Sequence, residues 1–260
     1  MAKVIAIINQ KGGVGKTTTA VNLSALLGAM GQRVLMIDLD PQGNTTSGLG
    51  MEVDDKSIYE VIMGRMKLTD VMEETEFKNL SIAGSDVRLA NAELELVEVE
   101  KREYRLKTAV QSVQQDFDFI FIDCPPSLGL LTINPLGAAD SVLIPIQCEY
   151  YALEGVASLM NTISRVKKTI NPHLEIEGVL LTMLDGRTNL GLQVVDEVKK
   201  HFKKQVYATV IPRSVRLGEA PSHGEPIHVY DKRSAGCVAY VNLAKEVLKR
   251  NNIKVKEFKL

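Results

Sequence analysis

Cysteine is the first shortage in this 260-residue sequence: there are three, an odd number, and they lie far apart. Cys124, Cys148 and Cys237 form no Cys-x-x-Cys pair. A disulfide framework and a structural zinc site are therefore not expected, and the thiols read as reduced and mostly buried. Histidine is nearly as scarce. His173, His201, His223 and His228 are scattered, so metal ligation by them is not expected, and no Ser-His-Asp arrangement finds support. No apolar run approaches the ~20 residues that a bilayer span needs. No secretory or transit segment precedes the first β-branched run, so a cytoplasmic protein is expected. Repeats, low-complexity tracts and proline-rich linkers are absent as well.

What is present is an ordinary globular composition, 45% hydrophobic and 24% charged. It is enough for a sizeable core, and a single large α/β domain is favoured. The net charge of −1 is unevenly spread. From residue 185 onward there are 15 Lys and Arg against 8 Asp and Glu, whereas the first 184 residues carry 16 against 24. Such asymmetry marks either an anion-binding face or a solvated basic surface.

The most informative stretch is Lys11-Gly12-Gly13-Val14-Gly15-Lys16-Thr17-Thr18. A β-branched run, Val4 to Ile8, precedes it, and a segment with helical apolar spacing follows. Strand, glycine-rich turn, Lys-Thr and helix together specify a phosphate-binding loop. Glycines let backbone N–H groups curl around phosphate oxygens, and the helix N-terminus adds partial positive charge. Lys16 would reach the β- and γ-phosphates, and the Thr17 hydroxyl would ligate Mg²⁺. One loop needs one phosphate lysine, so Lys11 requires its own explanation.

The remaining elements follow in order. Strands are expected over 3–9, 33–38, 80–83, 117–123, 141–146, 176–184 and 206–211. Helices are expected from the loop to about Met30, over 57–64 with Ser57 as N-cap, over 89–115, 156–170 and 190–202, and from Ser234 to Arg250. A short helix and loop cover 66–78. Residues 43–56 read as a mobile, switch-like loop, 212–226 as a loop and 251–260 as a frayed tail. The first two strands, joined by a helix, make a right-handed crossover with parallel strands.

Asp38 and Asp40 stand at the carboxyl end of the second strand, where open α/β sheets place their sites. Asp38 would orient backbone or support Lys11. Asp40 either starts a turn or reaches a water beside the γ-phosphate. Asp123 ends an apolar strand in the Walker B manner and would hold Mg²⁺ through water. Cys124 to Gly129 forms a stiff proline turn that doubles as a candidate γ-phosphate sensor. Lys199, Lys200, Lys203 and Lys204 suit the negative end of their helix dipole.

The Lys-Gly-Gly-Val-Gly-Lys-Thr-Thr stretch is similar to the deviant Walker A box of the ParA/MinD (SIMIBI-class) ATPases. Across its length the chain resembles a chromosomal ParA (Soj-like) partitioning ATPase, through residues 9–22, 38–50, 122–134, 147–155, 178–191 and 210–223. The resemblance implies a single P-loop domain over 1–260, with a three-layer fold in which helices flank a mostly parallel twisted sheet. It implies ATP and Mg²⁺ as ligands, with nucleotide contacts along Lys11 to Thr18. Catalytic roles fall to Lys11, Lys16 and Asp40, and metal binding to Thr17 and Asp123. Lys11 would cross an ATP-dependent homodimer to the partner's phosphates. Pro212 and Ser214 would lie along the adenine, with Ser214 replacing the Asn of many relatives. Non-specific double-stranded DNA would bind Arg187, Arg213, Arg216 and Arg233, and less firmly Lys199 and Lys200. A ParB-type centromere-binding partner would stimulate slow hydrolysis, and the protein would associate with the nucleoid.

Three other readings compete. A MinD-like membrane-cycling ATPase needs an amphipathic C-terminal helix, but residues 253–258 alternate with period two, so no membrane partner is expected. An iron–sulfur reductase needs a companion for Cys124. A non-enzymatic nucleic-acid binder would not need Lys16, Thr17, Asp40 and Asp123 together. Aromatics make up only 5% of the chain, with no base-reading element among them.

Overall fold

A computed structural model describes residues 1–153, 155–254 and 258. The strands are β1 (Lys3–Ile7), β2 (Val34–Asp38), β3 (Met72–Glu74), β4 (Leu80–Ala83), β5 (Phe119–Asp123), β6 (Ser141–Gln147), β7 (Glu175–Leu184) and β8 (Val206–Pro212). They form one sheet in the order β3-β4-β2-β5-β1-β6-β7-β8. Neighbours run parallel, except that β3 is antiparallel to β4. From central β1 the chain moves toward β2 on one side, and after β5 it crosses to β6 on the other. This reversal opens a crevice beyond the carboxyl ends of the strands, and the phosphate loop follows β1 directly into it.

The central strands β1, β2, β5 and β6 are largely apolar because both faces of the sheet are covered there. Alternate residues serve alternate cores. Val4, Ala6, Ile120 and Ile122 join one, and Ile5, Ile7, Phe119 and Phe121 the other. Helices Lys16–Ala29 and Ala235–Arg250 close the second core. Helices Ile58–Ile62, Arg105–Gln111, Leu130–Ala138, Val156–Thr169 and Asn189–Phe202 close the first. The result is the expected three layers, helices on both faces of a mostly parallel sheet.

Both sheet edges are blunted. β3 is three residues long and carries Glu73 and Glu74. On β8 the N–H groups of Ala208 and Thr209 donate to the Glu246 carboxylate at 2.9 and 3.0 Å, and Arg250 holds that carboxylate from behind at 2.9 Å.

Several elements differ from the sequence expectation. The helix expected over 89–115 breaks into Leu89–Glu95, two 3₁₀ turns and Arg105–Gln111. Its apolar stripe lapses between Leu96 and Leu106, and Lys101 takes a left-handed conformation (φ 55) that ends helical propagation. The stretch 66–78 holds helix Leu68–Val71 and then β3, too short and polar to show a period. The expected loop 43–56 contains helix Asn44–Gly48, with Thr45 and Thr46 buried. The expected loop 212–226 contains helix Val215–Glu219 and a 3₁₀ turn. Helix Leu130–Ala138 was not foreseen, because Pro135 lies inside it. Ser57 caps its helix as expected, accepting the Tyr59 N–H, and Ser234 caps the closing helix by accepting the Cys237 N–H. Of the frayed tail expected over 251–260, residues 255–257, 259 and 260 lie outside the described residues, and with them half of the period-two stretch.

Candidate phosphate-binding site

The turn between β1 and helix Lys16–Ala29 is built on Gly13 (φ 71) and Gly15 (φ 89), left-handed positions that suit glycine. The turn points the first N–H groups of the helix outward, where an anion can be met. Two side-chain hydrogen bonds tie the loop to β6 and β7. Asn9 Nδ2 donates to the Pro145 carbonyl at 2.7 Å, and Thr182 Oγ1 donates to the Val14 carbonyl at 2.8 Å. Lys16 is 7% exposed and folds back over the turn, its Nζ donating to the Lys11 carbonyl at 3.4 Å. Burial lowers the Lys16 pKa, and the nearby carboxylates of Asp123 and Asp40 oppose that shift.

Beneath the loop lies a buried carboxylate pair. Thr17 Oγ1 and Thr45 Oγ1 both donate to Asp123 Oδ2, at 2.8 and 2.7 Å. Asp123 Oδ1 is buried and has no hydrogen-bond partner in the chain. Asp38 accepts from the Thr46 N–H and hydroxyl on one oxygen, at 2.9 and 2.8 Å, and from the Asp40 N–H on the other at 3.1 Å. Of its two expected roles Asp38 therefore takes the backbone one, with no contact to Lys11. Burial pushes the Asp123 carboxyl up to about 6, against the pull of the two threonine hydroxyls. Burial, and then the charge of Asp123, push Asp38 up to about 7.

Asp40 is half-buried and lines a cavity of about 530 Å³ together with Gly12, Gly13, Lys16, Thr17 and Pro126. Its Oδ1 accepts the Gln42 N–H at 3.0 Å. A smaller cavity of about 180 Å³ shares Gly15, Thr18 and Met183 with the first and brings in Pro212, Ser214 and Tyr240. The two hollows are contiguous at Thr18, which suits a ligand with a polyanionic arm and a flat apolar end. Lys11 sits half-buried on the rim, its N–H donating to Asn9 Oδ1 at 3.0 Å. Among the described residues its ammonium forms no ion pair.

The donor set suits magnesium. Among the described residues no group of three or more His, Cys, Asp or Glu gathers as a metal cage. Magnesium keeps most of its waters and binds through one or two protein oxygens plus phosphates. A threonine hydroxyl beside a carboxylate with an orphaned oxygen supplies that minimum.

The AAA domain family model matches residues 2–176. The chain is 59% identical over 249 residues to the sporulation initiation inhibitor protein Soj of Bacillus subtilis, covering 95% of this chain and 98% of that one. It is 50% identical over 256 residues to the chromosome partitioning protein ParA of Myxococcus xanthus, covering 98% and 90%. The chain belongs to the Soj-like ParA ATPases of the ParA/MinD superfamily. Among solved structures, the Mycobacterium smegmatis cobyrinic acid a,c-diamide synthase with bound ADP and magnesium superposes with a TM-score of 0.86. It is 38% identical, over 97% of this chain and 96% of that one.

In this ParA-family chain the basic residues fall into separate places. Arg187 pairs with Asp185 at 2.7 Å, and Arg213 pairs with Glu149 at 2.9 Å. Arg216 pairs with Glu219 at 2.8 Å and with Asp231 at 3.4 Å. Arg233 is exposed and joins no ion pair among the described residues, although its N–H donates to Asp231. Arg187 and Arg213 follow the carboxyl ends of β7 and β8, and Arg216 and Arg233 meet at Asp231. Lys199 and Lys200 do not join them. They end helix Asn189–Phe202, which runs back from the carboxyl end of β7 toward the start of β8.

Three residues of this ParA site escaped sequence reasoning: Asn9, Thr45 and Thr182. Each acts across a large sequence separation, with partners 136, 78 and 168 residues away. Thr45 lay in a stretch read as a loop. Its one available signal was the neighbouring Thr46, since a Thr-Thr pair just beyond the aspartates offers two hydroxyls to buried carboxylates.

Proposed function

We propose that this ParA-family chain works as one ATPase unit over residues 1–260 and acts as an ATP-driven partitioning switch. ATP binding brings two copies together through their phosphate-loop faces, and the dimer holds double-stranded DNA without sequence preference. Hydrolysis, stimulated by a ParB-type centromere-binding partner, releases the DNA. The observation that carries this reading is the difference between the two lysines. Lys16 is buried over its own loop, whereas Lys11 stands on the rim with no ion pair among the described residues.

In this scheme the backbone from Gly12 to Thr18 cradles the phosphates, and Lys16 balances their charge within the subunit. The Thr17 hydroxyl would hold Mg²⁺ directly and Asp123 would hold it through water, where the ion would supply charge neutralisation at the phosphates. Asp40 sits beside the same cavity and orients the attacking water by accepting its proton. Pro212 and Ser214 flank the adenine in the smaller cavity. Lys11 reaches the partner's phosphates. ADP lacks the γ-phosphate that Lys11 neutralises, so the dimer loosens after hydrolysis, a population shift set by differential contacts. Arg187, Arg213, Arg216 and Arg233 contact DNA phosphates, which places the working protein at the nucleoid in the cytoplasm.

Gel filtration with light scattering, run with ATP, with ADP and without nucleotide, tests the scheme when paired with co-sedimentation on arbitrary DNA. Dimer mass and DNA binding should both appear with ATP alone. A mass independent of nucleotide, or equal DNA binding in all three states, overturns it.

A further inference from the structure

Helix Ile58–Ile62 and the segment that ends in helix Arg105–Gln111 enclose a cavity of about 590 Å³. It shares no lining residue with the phosphate-loop cavity. Its floor is apolar: Val61 and Leu68 belong to the main core, and Met66 packs against it. Its rim is basic. Lys67, Lys101 and Arg105 face a single carboxylate, Glu100.

Arg105 is the unusual member. Its Nε is buried without a hydrogen-bond partner. Among the described residues its guanidinium joins no ion pair. The carboxylates of the neighbouring helices are already engaged, Glu60 by Arg65 and Arg88 and Glu95 by Arg65. Gly64 shapes the seat. It is left-handed (φ 75), and a Cβ there would collide with Nη1 of Arg105, so the guanidinium lies against bare backbone. Lys101 is also left-handed and, like Lys67, joins no ion pair among the described residues.

A half-buried guanidinium whose Nε–H is buried without an acceptor is costly, because that N–H retains its desolvation penalty. A carboxylate or phosphate answers that need with two parallel hydrogen bonds. The apolar floor favours a ligand with a hydrocarbon or ring body, and the volume is that of a small-molecule site. We propose that this cavity binds a small amphiphilic anion, its carboxylate or phosphate head on Arg105 and its apolar body over Val61, Met66 and Leu68.

The test uses 8-anilinonaphthalene-1-sulfonate, an apolar anion that fluoresces when shielded from water, on full-length protein saturated with ADP and Mg²⁺. Saturable binding is expected, displaced by octanoate and by octyl phosphate but not by octanol. Arg105→Gln should weaken binding at least about tenfold, and Arg105→Lys should weaken it less. Thermal melting of each variant reports folding separately. Should Arg105→Gln lose its native melting transition, Lys101→Gly removes a rim charge at a backbone position suited to glycine and should weaken the probe several-fold. Absence of saturable binding, equal displacement by octanol, or unchanged affinity in a folded Arg105→Gln or Lys101→Gly variant overturns the proposal.

Discussion

Asp38 and Asp123 stand opposite each other in the register of β2 and β5, both wholly shielded from solvent. Two carboxyls side by side in a dry site hold their protons above the ordinary range, Asp38 up to about 7 and Asp123 up to about 6. The folded chain then binds protons more tightly than the unfolded one. The stability this confers is complete below about pH 4, where unfolded carboxyls titrate, and is lost as pH rises through 6 to 7. Nucleotide-free protein should therefore melt higher at pH 6 than at pH 8, by at least ~1 kcal/mol of stability. Asp38→Asn should flatten the profile. A wild-type melting temperature that stays level or rises toward pH 8 would contradict this.

Thr45 holds the same Asp123 oxygen as Thr17. Thr45→Val keeps the shape and removes the donor, leaving a buried carboxyl with one hydrogen bond fewer. A loss of about 1–3 kcal/mol is expected in urea unfolding. An unchanged midpoint would mean that Thr17 alone suffices.

Asp40 borders the cavity but takes no part in the buried network through its carboxylate. Asp40→Ala should leave fluorescent ATP-analogue binding within about twofold while phosphate release falls at least about 100-fold. Retained turnover would remove Asp40 from the chemistry.

Lys11→Ala separates the two lysines. Nucleotide affinity should survive, because the buried Lys16 remains, while the ATP-dependent dimer and its DNA binding disappear. A normal dimer in light scattering would make Lys11 an incidental surface charge.

The Arg233 guanidinium joins no ion pair among the described residues, whereas Arg187, Arg213 and Arg216 would have to exchange their carboxylates for phosphate. Exposed ion pairs are weak, so the exchange costs little. Arg233→Glu should weaken binding to any DNA sequence and reduce the slope of log affinity against log salt by about 0.9 for each phosphate no longer neutralised. An unaltered slope would move the DNA face elsewhere.

Local sequence patterns placed the turn after β1 and the aspartate that ends β5. Gly13 to Thr17 needs only its own spacing and its flanking strand and helix. Asp123 shows itself by ending an apolar run, because strands covered on both faces leave a terminal carboxylate conspicuous. The reading lapsed where partners are brought together only by the sheet. Thr182 reaches Val14 from two strands away, and nothing near either residue announces it. The ion pairs of Arg187, Arg213 and Arg216 were hidden for a similar reason, since net charge over a third of the chain does not reveal which cations are already matched. Residues 89–115 misled because a charged run is compatible with a helix without requiring one. Only the left-handed Lys101, between the buried Leu96 and Leu106, shows where the helix must stop.

Glu246 closes the last open strand, and its consequence reaches beyond that edge. With Ala208 and Thr209 capped and Pro212 lacking an N–H, β8 offers little backbone for a neighbouring chain to copy. At high local concentration, the β8 edge gives copies of this chain little template for strand exchange or fibre growth. Glu246→Ala would restore that template, and slow turbidity in concentrated samples would report it.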